Sequence, residues 1–354
     1  MIYKIIVQNY ETSIGIIIKE SSSLCDRLIK LLEITYDVRL MNDEKGEWEM
    51  NISIEPDLSR YAQSYTSAYS PHTIEHGEMA MIGFLDSEMH IFKEKEFSIY
   101  RNSHKLSITG SCENIVYEIT RKAIRQIQTR QLELGGGARL HASSFEYNGN
   151  GVAVAGNKGA GKTTTLLSMI GYCGSNYITN DVLEIRRGGN DKLPSVNGWP
   201  TVCLIGRGTL ASISKYSSLL PSEENSGDNS LPKVPIAINE IEQALGTSIV
   251  NRSSLRHIIF SRIDLGEEVS SIKSLSYEEG ISQISAHFIN EDRDHPDWLL
   301  LKCDQEPNFR VHGLLEGVHF YELAVGQNLE QTTALIIEKI MEDSSETSIA
   351  GEGI

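Results

Sequence analysis

Gly151-Val152-Ala153-Val154-Ala155-Gly156-Asn157-Lys158-Gly159-Ala160-Gly161-Lys162-Thr163-Thr164-Thr165 is the stretch on which the reading turns. The apolar run Val152 to Ala155 predicts a short buried strand. A glycine-rich loop follows, and the spacing of Leu166, Leu167, Met169 and Ile170 predicts a helix from about Gly161 to Tyr172. Gly156 to Thr163 fits G-x-x-x-x-G-K-[ST], the phosphate-binding loop. Glycines let backbone N–H groups turn inward and approach phosphate oxygens closely. The new helix points its positive end at the same oxygens. In that arrangement Lys162 reaches the β- and γ-phosphates as a point charge, and the Thr163 hydroxyl ligates Mg²⁺. Gly156, Asn157, Lys158, Gly159, Ala160, Gly161, Lys162, Thr163 and Thr164 are therefore the candidate nucleotide-binding residues. The bare pattern also describes a glycine-rich turn with a chance lysine. The strand before it and the helix after it supply the context that the motif requires.

Composition bounds what surrounds this loop. A chain of 354 residues has room for two domains. Its hydrophobic content of 40% and charged content of 23% are ordinary for a soluble globular protein. No run of about 18 apolar residues predicts a membrane span, and Met1 to Val7 reads as a strand rather than a signal peptide. The net charge of -16 argues against a nucleic-acid-binding surface and fits a soluble, cytoplasmic protein. The five cysteines are scattered without a C-x-x-C, which points to reduced thiols rather than disulfides or zinc.

Residues 1–110 read as a separate, smaller α+β module. Strands are expected at Tyr3–Gln8, Ile14–Ile18, Trp48–Ile54, His90–Tyr100 and Leu106–Thr109. Ser21-Ser22-Ser23 is expected to cap a helix through Leu32, with Leu24, Leu28, Leu31 and Leu32 on one face. Residues 55–80 carry prolines, serines and tyrosines without periodicity and read as loop. His72 and His76 are four apart, but Pro71 argues against a helix, so solvated loop histidines are expected. From Cys112 to Leu134 the pattern is helical and Gly135-Gly136-Gly137 stops it, which makes 111–137 a linking helix.

Residues 138–345 read as the second module. Arg139 to Tyr147 is a strand, and Asn148-Gly149 predicts a tight hairpin into the strand before the loop. Tyr177 to Thr179 and Val182 to Ile185 flank the pair Asn180-Asp181. Pro221 to Ser230 is polar and reads as loop. Arg256 to Ile263 and Trp298 to Leu301 read as further strands. A closing helix is expected from about Leu329 to Met341, and the acidic end as a frayed tail, with 346–354 flexible.

Phosphoryl transfer needs a phosphate cradle, Mg²⁺, a group that orients or deprotonates the acceptor, and positive charge for the transition state. Asp181 follows a short apolar run and so sits at a strand end, where open sheets place ligand-binding residues. It is a candidate metal ligand or base. Asn180-Asp181 is also a pair that suits a plain turn between strands. His141 stands fifteen positions before the loop and faces the γ-phosphate side if its strand packs beside the cradle; a lone strand histidine is also an ordinary core residue. Arg207, Arg252, Arg256 and Arg262 are available for the charge clamp.

Leu140-His141-Ala142, then Gly156 to Thr163, then Tyr177-Ile178-Thr179-Asn180-Asp181-Val182-Leu183-Glu184-Ile185 resemble the catalytic core of the HPr kinase/phosphorylase family. Leu323-Ala324-Val325-Gly326-Gln327-Asn328-Leu329 is similar to that family's closing Pro-Gly-Arg-Asn-Leu segment. The resemblance covers 138 to about 341. It implies an α/β fold with a P-loop kinase core of the HPr kinase/phosphoenolpyruvate carboxykinase type, ATP and Mg²⁺ as cofactors, and a serine hydroxyl as acceptor. Relatives phosphorylate free serine or the terminal serine of peptide natural products. The resemblance assigns Lys162 to phosphate, Thr163 and Asp181 to the metal, and Asp181, His141 and Lys162 to catalysis, with Glu184 close behind. The family's enzymes are hexameric, so a homo-oligomer is an open alternative. Two departures stand out. Asn180 replaces the first aspartate of an Asp-Asp pair, and Gln327 stands where the closing segment has arginine. The segment that serves phosphorolysis in the bifunctional enzymes is not evident.

Two functions are carried forward. One is a Mg²⁺-dependent kinase that moves the γ-phosphate of ATP to a hydroxyl, serine-type, of a peptide or small metabolite, with a place in natural-product biosynthesis and with 1–110 helping to bind the substrate. The other is a nucleotide-binding regulatory ATPase, or inactive kinase homologue, that engages a partner protein. Neither reading involves nucleic acid or a membrane.

Overall fold

A computed structural model describes residues 2–8, 12–19, 21–34, 36–40, 45–56, 71–74, 77–84, 87–92, 96–188, 193–220, 233–264, 266, 269–289 and 311–350. Contacts divide them into two compact units, one reaching to Leu132 and one beginning at Glu133. Both are built on sheets with helices, a mixed α/β architecture. No described helix is long and apolar enough to cross a membrane. The described cysteines Cys25, Cys112, Cys173 and Cys203 are free thiols.

In the first unit, β1 (Ile2–Gln8) and β2 (Ser13–Lys19) pair antiparallel, with Ile5 opposite Ile16 and Val7 opposite Ile14. Helix α1 (Ser22–Leu32) follows. Ser21 caps it by accepting the Leu24 N–H, and Leu24, Cys25, Leu28 and Leu32 form its buried face. Then come β3 (Asp37–Leu40), β4 (Trp48–Ile54), β5 (Pro71–Ile74), β6 (Gly77–Phe84), β7 (Ser87–Phe92), β8 (Phe97–Asn102) and β9 (Lys105–Gly110). They form one nine-stranded sheet in the order β3-β1-β2-β4-β9-β8-β7-β6-β5, parallel only at β2–β4 and β4–β9. Helix α2 (Glu113–Leu134) buries Val116, Ile119, Ala123, Ile124 and Ile127. Glu113 accepts from Ser21, Ser23 and Arg27, tying the starts of the two helices together.

Two readings of this unit need correction. The stretch 55–80 contains β5 and the start of β6, and His72 lies in β5 opposite Met79. β5 is only four residues long and opens on a proline, Pro71-His72-Thr73-Ile74, too short a run for an apolar alternation to announce it. His76 lies outside the described residues. His90–Tyr100 is two strands, because the chain reverses so that Phe92 faces Phe97, with Glu96 at φ 54°.

The second unit starts with the hairpin β10 (Ala138–Tyr147) and β11 (Asn150–Ala155). Asn148 and Gly149 take φ of 50° and 76°, the left-handed pair that a two-residue hairpin turn uses. Helix α3 (Lys162–Cys173) follows the glycine-rich loop. The remaining strands are β12 (Asn176–Thr179), β13 (Val182–Arg186), β14 (Ser195–Gly198), β15 (Cys203–Gly206), β16 (Lys233–Ile236), β17 (Ser253–Ile263), β18 (Ser271–Leu275) and β19 (His319–Val325). The helices among them are α4 (Arg207–Ser212), α5 (Ile241–Leu245), α6 (Tyr277–Ile284), α7 (Val311–Leu314) and α8 (Leu329–Ala350). Helix α8 runs on into the stretch read as a tail. Trp298–Leu301 and Pro221–Ser230 fall outside the described residues.

The main sheet runs β11-β10-β13-β14-β17-β19-β18, with β12 beside β10. β17 pairs with both β14 and β11, so the path from β11 to β17 closes on itself. The strands β11, β17 and β19 are parallel, in register from Ala155 to Phe260 and from Phe260 to Glu322. Val152 to Ala155 are all fully buried. Ala142, Ala153, Ala155, Leu183, Ile258, Phe260, Ile281 and Phe320 share one core, which fixes the ends of these three strands at one crest.

Candidate active site

The glycine-rich loop leaves the sheet at that crest. Gly156 has φ 149°, and a Cβ there would lie 2.7 Å from the Ser261 carbonyl oxygen of the neighbouring strand. Only glycine lets the chain turn this close to β17. Gly161, at φ 92°, is the N-cap of α3 and has no side chain to cap it. The N–H groups of the helix's first turn thus have no side-chain cap, which is the condition for receiving an anion.

Lys162 folds back over the loop. Its Nζ donates to the carbonyl oxygens of Gly156 at 2.7 Å and Asn157 at 3.3 Å. Burial lowers its proton affinity, Asp181 works against that, and Lys233 adds to it. The next residue points elsewhere. Thr163 Oγ1 donates to Asn180 Oδ1 at 2.8 Å, and Ser143 Oγ also approaches Asn180, at 3.2 Å from its carbonyl oxygen and 3.3 Å from Oδ1. Asn180 Nδ2 reaches the Leu204 carbonyl oxygen at 3.4 Å. Thr164 and Thr209 share a hydroxyl–hydroxyl bond of 2.9 Å, bringing α4 to the start of α3.

Asn180 and Asp181 occupy the turn between β12 and β13, and the Asp181 carbonyl oxygen accepts the Ala142 N–H at 3.1 Å. That bond places the turn beside β10, where His141 Nε2 lies 3.6 Å from Asp181 Oδ1. Both side chains are half exposed, at 55% and 52%, so the pair opens outward. Glu184 takes no part in this opening. It is buried with Arg186 and Asn197, accepting from both.

The sequence-predicted residues thus divide. Lys162, Thr163, Asn180, Asp181 and His141 converge at the crest. Of the arginines offered for a charge clamp, Arg252 immediately precedes β17 and Arg256 lies in its first half, at the end away from the loop, where Ser254 pairs with Asn150 and Leu255 with Gly151. At roughly 3.3 Å per residue, Arg256 sits about 13 Å and Arg252 about 26 Å along the sheet from Phe260, where the loop departs. Arg262 is at the crest but is engaged by Asp264 at 3.0 Å and Glu322 at 3.5 Å. Arg207 opens α4, two residues before Thr209, and its buried Nε makes no hydrogen bond among the described residues. Lys233 and His287 were missed. Lys233 pairs with Gly206 across β15–β16, and His287 closes the turn after α6. Neither carries a local motif; only the fold brings them to the loop.

Among the described residues no group of three or more histidine, cysteine, aspartate or glutamate side chains forms a metal site. Mg²⁺ in phosphoryl-transfer sites uses one or two protein oxygens and takes the rest from phosphates and water. The Thr163 hydroxyl and the Asp181 carboxylate are donors of that kind, so the residues fit such an ion.

No family model matches the chain, and no curated protein matches it. Among solved structures it is similar to the Hpr(Ser) kinase/phosphatase from Coxiella burnetii, at 11% identity, covering 61% of this chain and 99% of that one, with a TM-score of 0.28.

Proposed function

We propose that the chain is an ATP-dependent phosphotransferase that moves the γ-phosphoryl group to a hydroxyl, of serine type, on a peptide or small metabolite. The observation that carries this reading is the convergence of the His141–Asp181 pair with the strand–loop–helix of Lys162 and Thr163. The sequence resemblance described above supports it. Backbone N–H groups of the loop and the start of α3 bind the phosphates, and Lys162 leaves its carbonyl partners to meet the β- and γ-oxygens. Thr163 Oγ1 and Asp181 would hold Mg²⁺, which when bound neutralises charge on the β- and γ-oxygens. The acceptor oxygen forms its bond to the γ-phosphorus as the bond to the bridging oxygen breaks. The acceptor's proton passes to the His141–Asp181 pair, and a nucleoside diphosphate leaves. Arg207 is the cation available for the developing charge.

Asn180 favours a second reading, a regulatory nucleotide-binding protein. Its amide oxygen is neutral and already accepts the Thr163 hydroxyl. Incubation with γ-labelled ATP, Mg²⁺ and a panel of serine, hydroxylated metabolites and seryl peptides separates the two. Label on one acceptor is expected, falling by about 10²- to 10⁴-fold in Asp181→Asn while ATP still binds by calorimetry. Undiminished turnover in that variant would remove Asp181 from the mechanism. Binding without any transfer would favour the regulatory protein.

A further inference from the structure

At its beginning β10 is paired on both edges. On one edge Leu140 faces Leu183 of β13; on the other it makes an isolated bridge with Phe288. The Ile289 N–H donates to the Arg139 carbonyl oxygen at 2.9 Å and fixes that register. β11 follows the edge of β10 opposite β12 and leaves it at Ala155, the partner of Ala142, where the chain turns into Gly156. Phe288 takes up the edge that β11 vacates. His287, the residue before it, therefore stands at the seam where the glycine-rich loop departs. Its ring centroid lies 6.1 Å from that of Phe260, the ladder partner of Ala155. The bridge, the backbone hydrogen bond and the ring contact all hold His287 between the loop and the start of β10, next to His141.

We propose that His287 is a phosphate-contacting residue of this site, donating a ring N–H to the terminal phosphate of a bound nucleoside triphosphate beside Lys162. The proposal rests on the reading of the loop as a nucleotide site. Burial first, then the charges of Lys162 and His141, hold the imidazole's proton affinity below its ordinary value, so both groups lie within electrostatic reach of the ring. Such a ring is neutral near pH 7, with one N–H to donate and one lone pair. A residue that served only to pack on Phe260 would need no N–H, and phenylalanine would replace it without loss.

The test compares Mg–ADP with a β,γ-imido ATP analogue by calorimetry on wild type, His287→Phe and His287→Gln. His287→Phe is expected to weaken the analogue by about ten-fold, the scale of one hydrogen bond to a charged group, and to leave ADP unchanged. His287→Gln, which keeps an N–H donor, recovers part of that loss. On wild type, the ¹⁵N resonances of the His287 ring are expected to move with the analogue and not with ADP, a measurement that needs no variant to fold. Wild-type binding of the analogue with no ring shift, and with both variants unchanged or losing both nucleotides equally, overturns the role of His287 alone. Failure of wild type to bind either nucleotide overturns the loop reading and His287 with it.

Discussion

At the scale of single residues, Asn180 separates this site from one with two carboxylates. Its Oδ1 accepts from Thr163 and its Nδ2 reaches the Leu204 carbonyl oxygen. Asn180→Asp adds a negative oxygen beside Asp181 and loses the donor to Leu204. The new carboxylate supplies a further metal oxygen, so the Mg²⁺ concentration for half-maximal transfer is expected to fall. It also sets a charge against a carbonyl, at a cost of about 1 kcal/mol in stability. A Mg²⁺ titration of the labelled-transfer rate, alongside a urea melt, checks both. Lys162→Ala acts differently. It removes the point charge on the phosphates, and ATP affinity is expected to fall by at least ten-fold; calorimetry showing unaltered affinity would mean that the loop does not hold phosphate.

At the scale of elements, the sequence announced what depends on neighbours in the chain. The hairpin at Asn148-Gly149, the buried run Val152 to Ala155, the Ser21 cap and the helices at Ser22 and Glu113 all follow from local rules and formed, except that α1 buries Cys25 while Leu31, read onto the same face, is only half-buried. Elements that depend on partners distant in sequence were not legible. β5 and the first half of β6 form because each offers the other main-chain donors and acceptors. The ribbon of β15 and β16 carries Lys233, and the Phe288 bridge carries His287; neither has a pattern of its own. The loop shows how an element joins the two kinds of information. Its glycines are visible in sequence, but the reason for Gly156 is the Ser261 carbonyl oxygen on another strand. Gly156→Ala must push that strand away, because the Cβ is met by backbone and not by a flexible side chain. A loss of about 1–3 kcal/mol in the unfolding free energy of the second unit is expected, read as a lower denaturant midpoint, together with loss of nucleotide binding. A variant that melted and bound ATP as wild type would show that the loop does not need this approach to β17.

At the scale of the whole molecule, the pH dependence of folding follows from a histidine at the other end of the parallel strands. His257 is buried on β17, its ring 5.7 Å from that of His319 and 6.0 Å from that of Tyr321. Burial above all, then His319 and Arg256, pushes its pKa down to about 3. The folded state therefore keeps this ring neutral while the unfolded chain protonates it near the ordinary value of about 6.5. Below that pH the unfolded state holds the extra proton, so stability is fully present above about pH 6.5 and is lost as pH falls toward 3. His287 is also shifted down and adds to the same trend. The slope for one proton is about 1.4 kcal/mol per pH unit. It is separable from carboxylate effects between about pH 6 and 5, above the range where most carboxylates titrate. Chemical denaturation at half-unit steps over that window is expected to show a falling stability in wild type and a flatter profile in His257→Leu, whatever that variant's absolute stability. Parallel profiles for the two proteins would mean that His257 is protonated alike in both states and contributes nothing to the acid sensitivity of the fold.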